Sequence, residues 1–506
     1  MAYSTLTNSG LRTWPYGESG WLAHMNYNVY RLNSILLKIS GLVDVNLAGR
    51  VNGDILIWDA GTSKFIIKTP LFAALSTTCS TSSTSSTSSS TSSSSTTSST
   101  VTSSSTSSST SSSTSTSSSS TTTTAPVAGP TEFVCNIGAG AADYTTLRQW
   151  ILACDADYSA VTSKVFAWSG SSGTIADGAA VTGVTSGATA VCVHRTATQI
   201  MLRTIAIASF LSGEKVQIDA SNWVTITDVG NDAIPVAECS TTGAADNVTG
   251  ATTFSGFVAD QIIVRAKSGH EATCPINLGL YRIYTGSSVT CFTITSANVE
   301  FQNIQFYTDG SFSTSTFLDI RANGFKIDGC VFSDNGSFNG DTNLDVNAAG
   351  VSGIEITNCA FMYPATQAIK VTAAAAGGVL VANCSGLGGP RGIVQSGNGQ
   401  VKVVNTAFDA CATEDFDTTY TWAAGTDYNW SKDATAPGAN SIHGTADGKT
   451  IDYTTVAGYA SNLHLQGTSD AIAAGVGPAS DSDVPTTDFD GDARSGATCD
   501  MGFDEA

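Results

Sequence analysis

Between residues 299 and 408 the chain alternates apolar and polar side chains in short runs, and the runs recur. Aligning EFQNIQF, KIDGCVF, EITNCAF, LVANCSG and KVVNTAF puts Ile304, Cys330, Cys359, Cys384 and Thr406 in one register, at steps of 26, 29, 25 and 22 residues. Alternation over about six positions is the period of a half-buried strand. An Asn or Gly (Asn303, Gly329, Asn358, Asn383 or Asn405) precedes each register residue, which predicts a sharp bend or a turn closed by its own side chain. A unit this short cannot bury its own face. Repetition therefore predicts stacked coils around one continuous core.

Elsewhere the pattern changes. Trp21, Met25, Val29, Leu32 and Leu36 make one apolar stripe at helical spacing, and Gly41 is a plausible stop. Either a single amphipathic helix or a short multimerising coil would read this way. Asn52-Gly53 then marks a tight turn before the β runs DILIWD and KFIIK. From Ser76 to Thr124 every residue except Cys79 and Val101 is Ser or Thr. Such a tract has nothing to offset its ordering entropy, so it reads as an extended linker. After it, Leu147, Trp150, Ile151 and Cys154 share one helical face. Residues 165–231 alternate Gly-rich turns with short β runs.

These patterns carry resemblances. The repeat and its I-x-I-x-N-C-x-F phrasing resemble the pectate-lyase-like right-handed parallel β-helix, and the helix at Leu147 resembles the one that caps such solenoids. Thr487, Asp488, Asp490, Gly491, Arg494, Asp500, Gly502 and Glu505 match a T-D-x-D-G-x-R … D-x-G-x-x-E ending similar to the closing rungs of β-helix surface proteins. The phrases around Gly178–Ala190 and Phe210–Val216 resemble a small β-barrel inserted in phage structural proteins. Leu42 to Phe65 is similar to a module of phage tail-fibre and other virion proteins. The implied organisation is a virion-anchoring module (1–75), a Ser/Thr linker (76–124), the β-helix start with its capping helix (125–164), an inserted β module (165–231), and the remaining β-helix with closing rungs (232–506). At about 25 residues per rung, roughly 8–11 rungs are expected.

Composition narrows the function. Only 13% of residues are charged and the net charge is −20, so a nucleic-acid partner is excluded for want of clustered Lys and Arg. No apolar run is long enough to cross a bilayer, so no membrane insertion is expected. The start MAYSTLTNSGLRTWPYGESGW lacks a basic, apolar leader, and the twelve cysteines lack zinc spacing; assembly in a reducing host cytoplasm with unpaired thiols is expected.

Asp409, Glu414, Asp415 and Asp417 cluster after one repeat, and Asp309, Asp334 and Asp341 are equally eligible carboxylates. Sequence does not supply the pairing distance a glycosidase needs. No catalytic residue is therefore assigned. DFDGDARSGATC mimics a calcium loop, yet Ala493 and Cys499 stand where an EF-hand needs Gly and Glu, so neither metal nor cofactor is expected.

The resemblances imply a bacteriophage virion surface protein, a tail fibre, tailspike or head fibre. It would be homotrimeric, held to other virion proteins by its N-terminal module, and would bind host surface polysaccharide through the β-helix. A polysaccharide hydrolase or lyase on the same scaffold, and a bacterial surface adhesin, are the alternatives. Tyr307, Phe312, Phe338, Tyr420, Trp422 and Trp430 lie in excursions after Phe306, Phe332 and Phe408. These excursions are expected to leave one side of the rod and offer aromatic faces to sugar.

Overall fold

A computed structural model describes residues 130–505 except 141, 241–244, 249, 286–289, 309–315, 335–341, 373–377, 399, 455–461 and 495, together with the strands Ser4–Thr5, Arg12–Thr13, Ile55–Asp59 and Lys64–Lys68. The chain divides into two compact units, Met1–Ser117 and Ser118–Ala506. In the first, Ile55–Asp59 and Lys64–Lys68 pair antiparallel, so DILIWD and KFIIK form a hairpin. The helix expected over residues 17–41 and the Ser/Thr tract lie outside the described residues.

In the second unit the chain visits three parallel sheets in turn. An eight-stranded sheet runs from Thr131–Ile137 to Val401–Val404, a nine-stranded one from Asp246–Val248 to Ile442–His443, and a seven-stranded one from Thr252–Phe254 to Glu414–Phe416. This is a parallel β-helix, and its register is the one the repeat predicts. Gln305, Val331, Ala360, Ser385 and Ala407 pair in succession, which stacks Ile304, Cys330, Cys359, Cys384 and Thr406 directly before them. All five are 0% exposed. Every cysteine among the described residues carries a free thiol, and burial pushes the Cys330 and Cys359 thiols well up.

The bend before each register residue is a left-handed backbone position. Asn303, Asn358, Asn383 and Asn405 have φ of 55, 48, 50 and 51°, and Gly329 has 61°. Gly and Asn are the residues that adopt this conformation at least cost. Two residues past four of the register positions, Phe306, Phe332, Phe361 and Phe408 stack along the core. The first two rings lie 4.6 Å apart and nearly parallel, and the next two 5.2 Å. Gly386 occupies the intervening rung, and a β-carbon there would lie 2.1 Å from the Phe408 ring. The missing side chain lets Phe408 lean across the rung toward Phe361, 6.3 Å away.

The helix Leu147–Ala153 closes the first rung. Thr146 Oγ1 accepts from the Gln149 backbone N–H, and Leu147, Trp150 and Ile151 are buried. The inserted module is a closed six-stranded antiparallel barrel from Lys164–Ser172 to Asn222–Ile226. Its two ends meet where Val165 and Asn231 exchange backbone hydrogen bonds of 2.9 Å. Glu214 explains why its two signature phrases occur together: the carboxylate accepts from Thr185 N (3.1 Å), Ser186 N (3.0 Å) and Ser186 Oγ (2.9 Å), bridging one phrase to the other.

The C-terminal segment departs from expectation. It does not add closing rungs, and the coils number fewer than expected, each strand of the seven-stranded sheet completing one coil. Instead the chain after His443 turns back along the side of the helix. Asn405 pairs with Val476 through both side-chain atoms (2.7 and 2.9 Å), Asn383 donates to Gly502 O (3.3 Å), and Asn358 Oδ1 accepts from Arg494 (2.7 Å). The bend residues thus offer amide side chains on three successive rungs, and the terminal segment docks on that ladder. Met501, Phe503, Leu463 and Leu465 then share a second buried cluster with Val331, Ala360, Met362 and Ala407, on the outer face of the nine-stranded sheet. No helix among the described residues is long and apolar enough to cross a membrane.

Candidate functional site

A groove lies on the outer face of the nine-stranded sheet, beside the second buried cluster. Register places Asn247, Tyr284 and Tyr307 side by side on consecutive strands. In each strand the neighbours on both sides are buried, so these three point outward by simple alternation. The two phenol rings lie 6.2 Å apart, tilted by 35°. With Ala245, Leu278 and Arg282 they line a groove of about 380 Å³.

One wall is the segment that leads into the strand Arg282–Thr285. Gln305 holds it: its Oε1 accepts from Asn277 N (2.8 Å), and its Nε2 donates to Tyr281 O (3.0 Å). Below the groove, Asp246 accepts from Leu147 N (2.6 Å) and Tyr281 Oη (2.8 Å). Burial raises its pKa above the ordinary carboxylate value. The platform therefore rests on the capping helix and not on a free loop. Two half-buried aromatic faces, an amide and a guanidinium are groups that can stack on and orient an extended polar chain.

The sequence-expected aromatics scatter. Tyr307 is in the groove. Phe312 and Phe338 lie outside the described residues. Residues 407–431 are not one excursion but a further rung: Glu414–Phe416 extends the seven-stranded sheet, and Ala423 N and Asp427 N donate to Val401 and Val403 carbonyls. Tyr420 and Trp422 therefore sit at a different corner from Tyr307. Trp422 is half-buried, edge-on to Phe416 at 6.0 Å. Trp430 is 2% exposed in the second core. It is not an outward binding residue, because its strand lies beneath the C-terminal cover.

Tyr284, Arg282 and Asn247 were not foreseen. A signal existed: R-I-Y-T at 282–285 parallels Q-F-Y-T at 305–308, one rung before the repeat first becomes clear.

The candidate acids are occupied otherwise. Asp415 is fully buried and accepts from Cys411 N (3.1 Å) and Lys432 N (2.7 Å); burial, then Asp433, pushes it up to about 6. Asp417 accepts from Gln395 N and Thr419 N. Glu414 pairs with Arg391 at 3.4 Å, and Asp409 with Lys432 at 3.5 Å. Asp309 and Asp341 lie outside the described residues. A second groove, of about 370 Å³, runs between Tyr363, Pro364, Gly389, Pro390 and Ala412 and offers mainly apolar groups.

A separate cluster joins the barrel to the helix. His194 Nδ1 lies 2.9 Å from Asp177, its Nε2 lies 3.7 Å from Asp143, and Tyr144 Oη donates to Asp177 (3.1 Å) and contacts Cys154 Sγ (3.4 Å). Burial pulls the His194 pKa down, but Asp143 and Asp177 more than reverse this and leave it raised to about 9. The resulting stabilisation is present below the ordinary value near 6.5 and is lost as pH rises through about 9. Hydrogen exchange of the barrel strands should therefore speed up between pH 7 and 10 in the native protein beyond the chemical trend. His194→Gln should remove that extra dependence, and an identical profile in the variant would exclude His194 as its source.

No protein-family profile and no curated protein matches the chain. Among solved structures, the crystal structure of the pectate lyase Pel9A aligns with 54% of this chain and 88% of its own, at 12% identity and a TM-score of 0.26.

Proposed function

We propose that this chain is a bacteriophage virion surface protein whose β-helix binds a host-envelope polysaccharide at the Tyr284–Tyr307 groove. The observation that carries the reading is the pair of phenol rings, 6.2 Å apart, lining one groove with Asn247 and Arg282. Sugar rings stack on such faces, while Asn247 and Arg282 supply hydrogen bonds that orient hydroxyl or acidic substituents. The virion role rests on the sequence: a tail-fibre-like N-terminal module, then a Ser/Thr tract that separates it from the working domain. Attachment to other virion proteins and a trimeric state belong to the same reading.

The test is adsorption of purified protein to host cells and to extracted envelope polysaccharide. Aromatic stacking contributes about 0.5–1.5 kcal/mol per ring, so Tyr284→Ala with Tyr307→Ala should weaken binding by roughly 5–150-fold. The fold should stay intact by circular dichroism. Unchanged adsorption in the folded double variant would remove the groove from the binding surface. Release of new reducing ends during the assay would favour the depolymerase alternative.

A further inference from the structure

We propose that His464, Asp490 and Asp504 bind a first-row divalent cation of the zinc class, which clasps the C-terminal cover together. One ligand atom from each of the three lies within 4.8 Å of the others. They come from three separate pieces of the cover: the stretch around Leu465, the Asp488–Asp492 turn, and the terminal segment.

The hydrogen bonds around His464 decide which ring nitrogen faces the cluster. Nδ1 lies 3.1 Å from Asn462 O. A carbonyl can only accept, so Nδ1 carries the proton. In the neutral ring that leaves a lone pair on Nε2, and Nε2 lies 3.0 Å from Asp490 Oδ2. Two lone pairs at that separation repel each other unless a positive centre sits between or beside them. A carbonyl fixing one nitrogen while the other faces outward is the usual support for a metal-bound histidine.

Asp504 is a second, independent pointer. It is 6% exposed, and Leu465 N donates to its Oδ2 at 3.1 Å. Its other oxygen has no hydrogen-bond donor among the described residues and so remains able to take a ligand. A cation held jointly with His464 and Asp490 supplies what that oxygen lacks. Phe503 and Phe489 flank the imidazole at 5.3 and 6.4 Å, screening it on the inner side. Asp490 keeps half of its side chain exposed, so a cation can enter from solvent.

The donor set selects the ion. Calcium prefers six to eight oxygens, whereas one imidazole with two carboxylates suits zinc and its first-row neighbours. The calcium loop suggested by Asp488, Asp490 and Asp492 is not formed. Asp488 spends both oxygens on Asp492 N (2.7 Å) and Glu505 N (3.0 Å), leaving Asp490 to turn toward His464.

The test uses the full chain, stripped with chelator and titrated calorimetrically with zinc chloride at pH 7.5. One equivalent should bind, and the melting temperature should rise. Calcium and magnesium chloride at equal concentration should have no such effect. Asp490→Asn, at an exposed position, and His464→Gln should each weaken zinc binding by at least about tenfold. Cobalt substitution should give visible d–d bands without the near-ultraviolet thiolate charge-transfer bands that cysteine ligation would produce. Zinc affinity unchanged in both variants, thiolate bands, or a preference for calcium would each overturn the proposal. No binding at all would leave a protonated His464 as the positive centre and would overturn it too.

Discussion

Replacing Arg494 by Ala is expected to destabilise the β-helix unit by about 3–5 kcal/mol, the range for removing one partner of a buried charged network. Arg494 is 2% exposed. Its guanidinium donates to Asn358 Oδ1 (2.7 Å), Thr487 O (2.8 Å) and Gly502 O (3.2 Å), and it lies 3.5 Å from Glu505. Truncation strands Asn358 Oδ1, leaves Thr487 O and Gly502 O with only their Asn358 and Asn383 donors, and removes the cation beside Glu505. Because these contacts tie the terminal segment to the bend ladder, loss should begin there. Hydrogen exchange at Met501 and Phe503 should accelerate before that of the core strands. Limited proteolysis should cut the C-terminal segment while leaving the coils protected. Arg494→Lys keeps the charge but not the fork geometry, so an intermediate loss is expected. A denaturation midpoint within about 1 kcal/mol of the parent would show that the ladder alone holds the cover.

A comparable loss, about 3–5 kcal/mol, is expected for Phe332→Ala. Phe332 sits in the middle of the ring stack, 4.6 Å from Phe306 and 5.2 Å from Phe361, with Phe317 against it at 5.8 Å. Rungs above and below hold the walls of the vacated space in place through continuous hydrogen-bonded ladders, so little collapse can relieve the cavity. Phe332→Leu keeps most of the volume and should cost less than half as much. Chemical denaturation followed by intrinsic fluorescence would measure both. Equal effects for Ala and Leu would mean that ring-to-ring geometry, rather than filled volume, is what the stack contributes. An Ala cost under about 1 kcal/mol would show that the core is looser than its spacing implies.

The coil could be read from sequence because its determinants are local and repeated. Alternation sets which side chains face inward, and the Asn or Gly before each register residue marks a backbone conformation few other residues tolerate. Stacking five units then needs only that every copy obey the same rule, and Gln305 to Ala407 do so without a slip. The barrel was legible for a similar reason: its Gly-rich turns and the Glu214 phrase are short-range signals.

The candidate site was legible only at Tyr307. The long stretches between repeats carry the other aromatics, but stretch length does not separate a loop from an irregular rung. Glu414–Phe416 shows the difference: three residues in an apparent loop extend a sheet, and the surrounding aromatics turn inward with it. Nor does alternation say whether an outward face stays open. Trp430 and Tyr307 both lie on strands of the nine-stranded sheet. One is buried inside the second cluster with the C-terminal segment, and the other packs only partly against that cluster and borders the groove.

By itself, then, the sequence determined the coil, its register, its bend residues and the barrel insertion, all set by contacts between neighbours along the chain or between equivalent positions of successive repeats. Tertiary structure decided where residues 444–505 go. Their partners, Asn358, Asn383 and Asn405, lie 71 to 136 positions earlier in the chain, and no periodicity links such distant residues. That single packing choice covers part of one sheet face, buries Trp430 and brings His464 to Asp490 and Asp504.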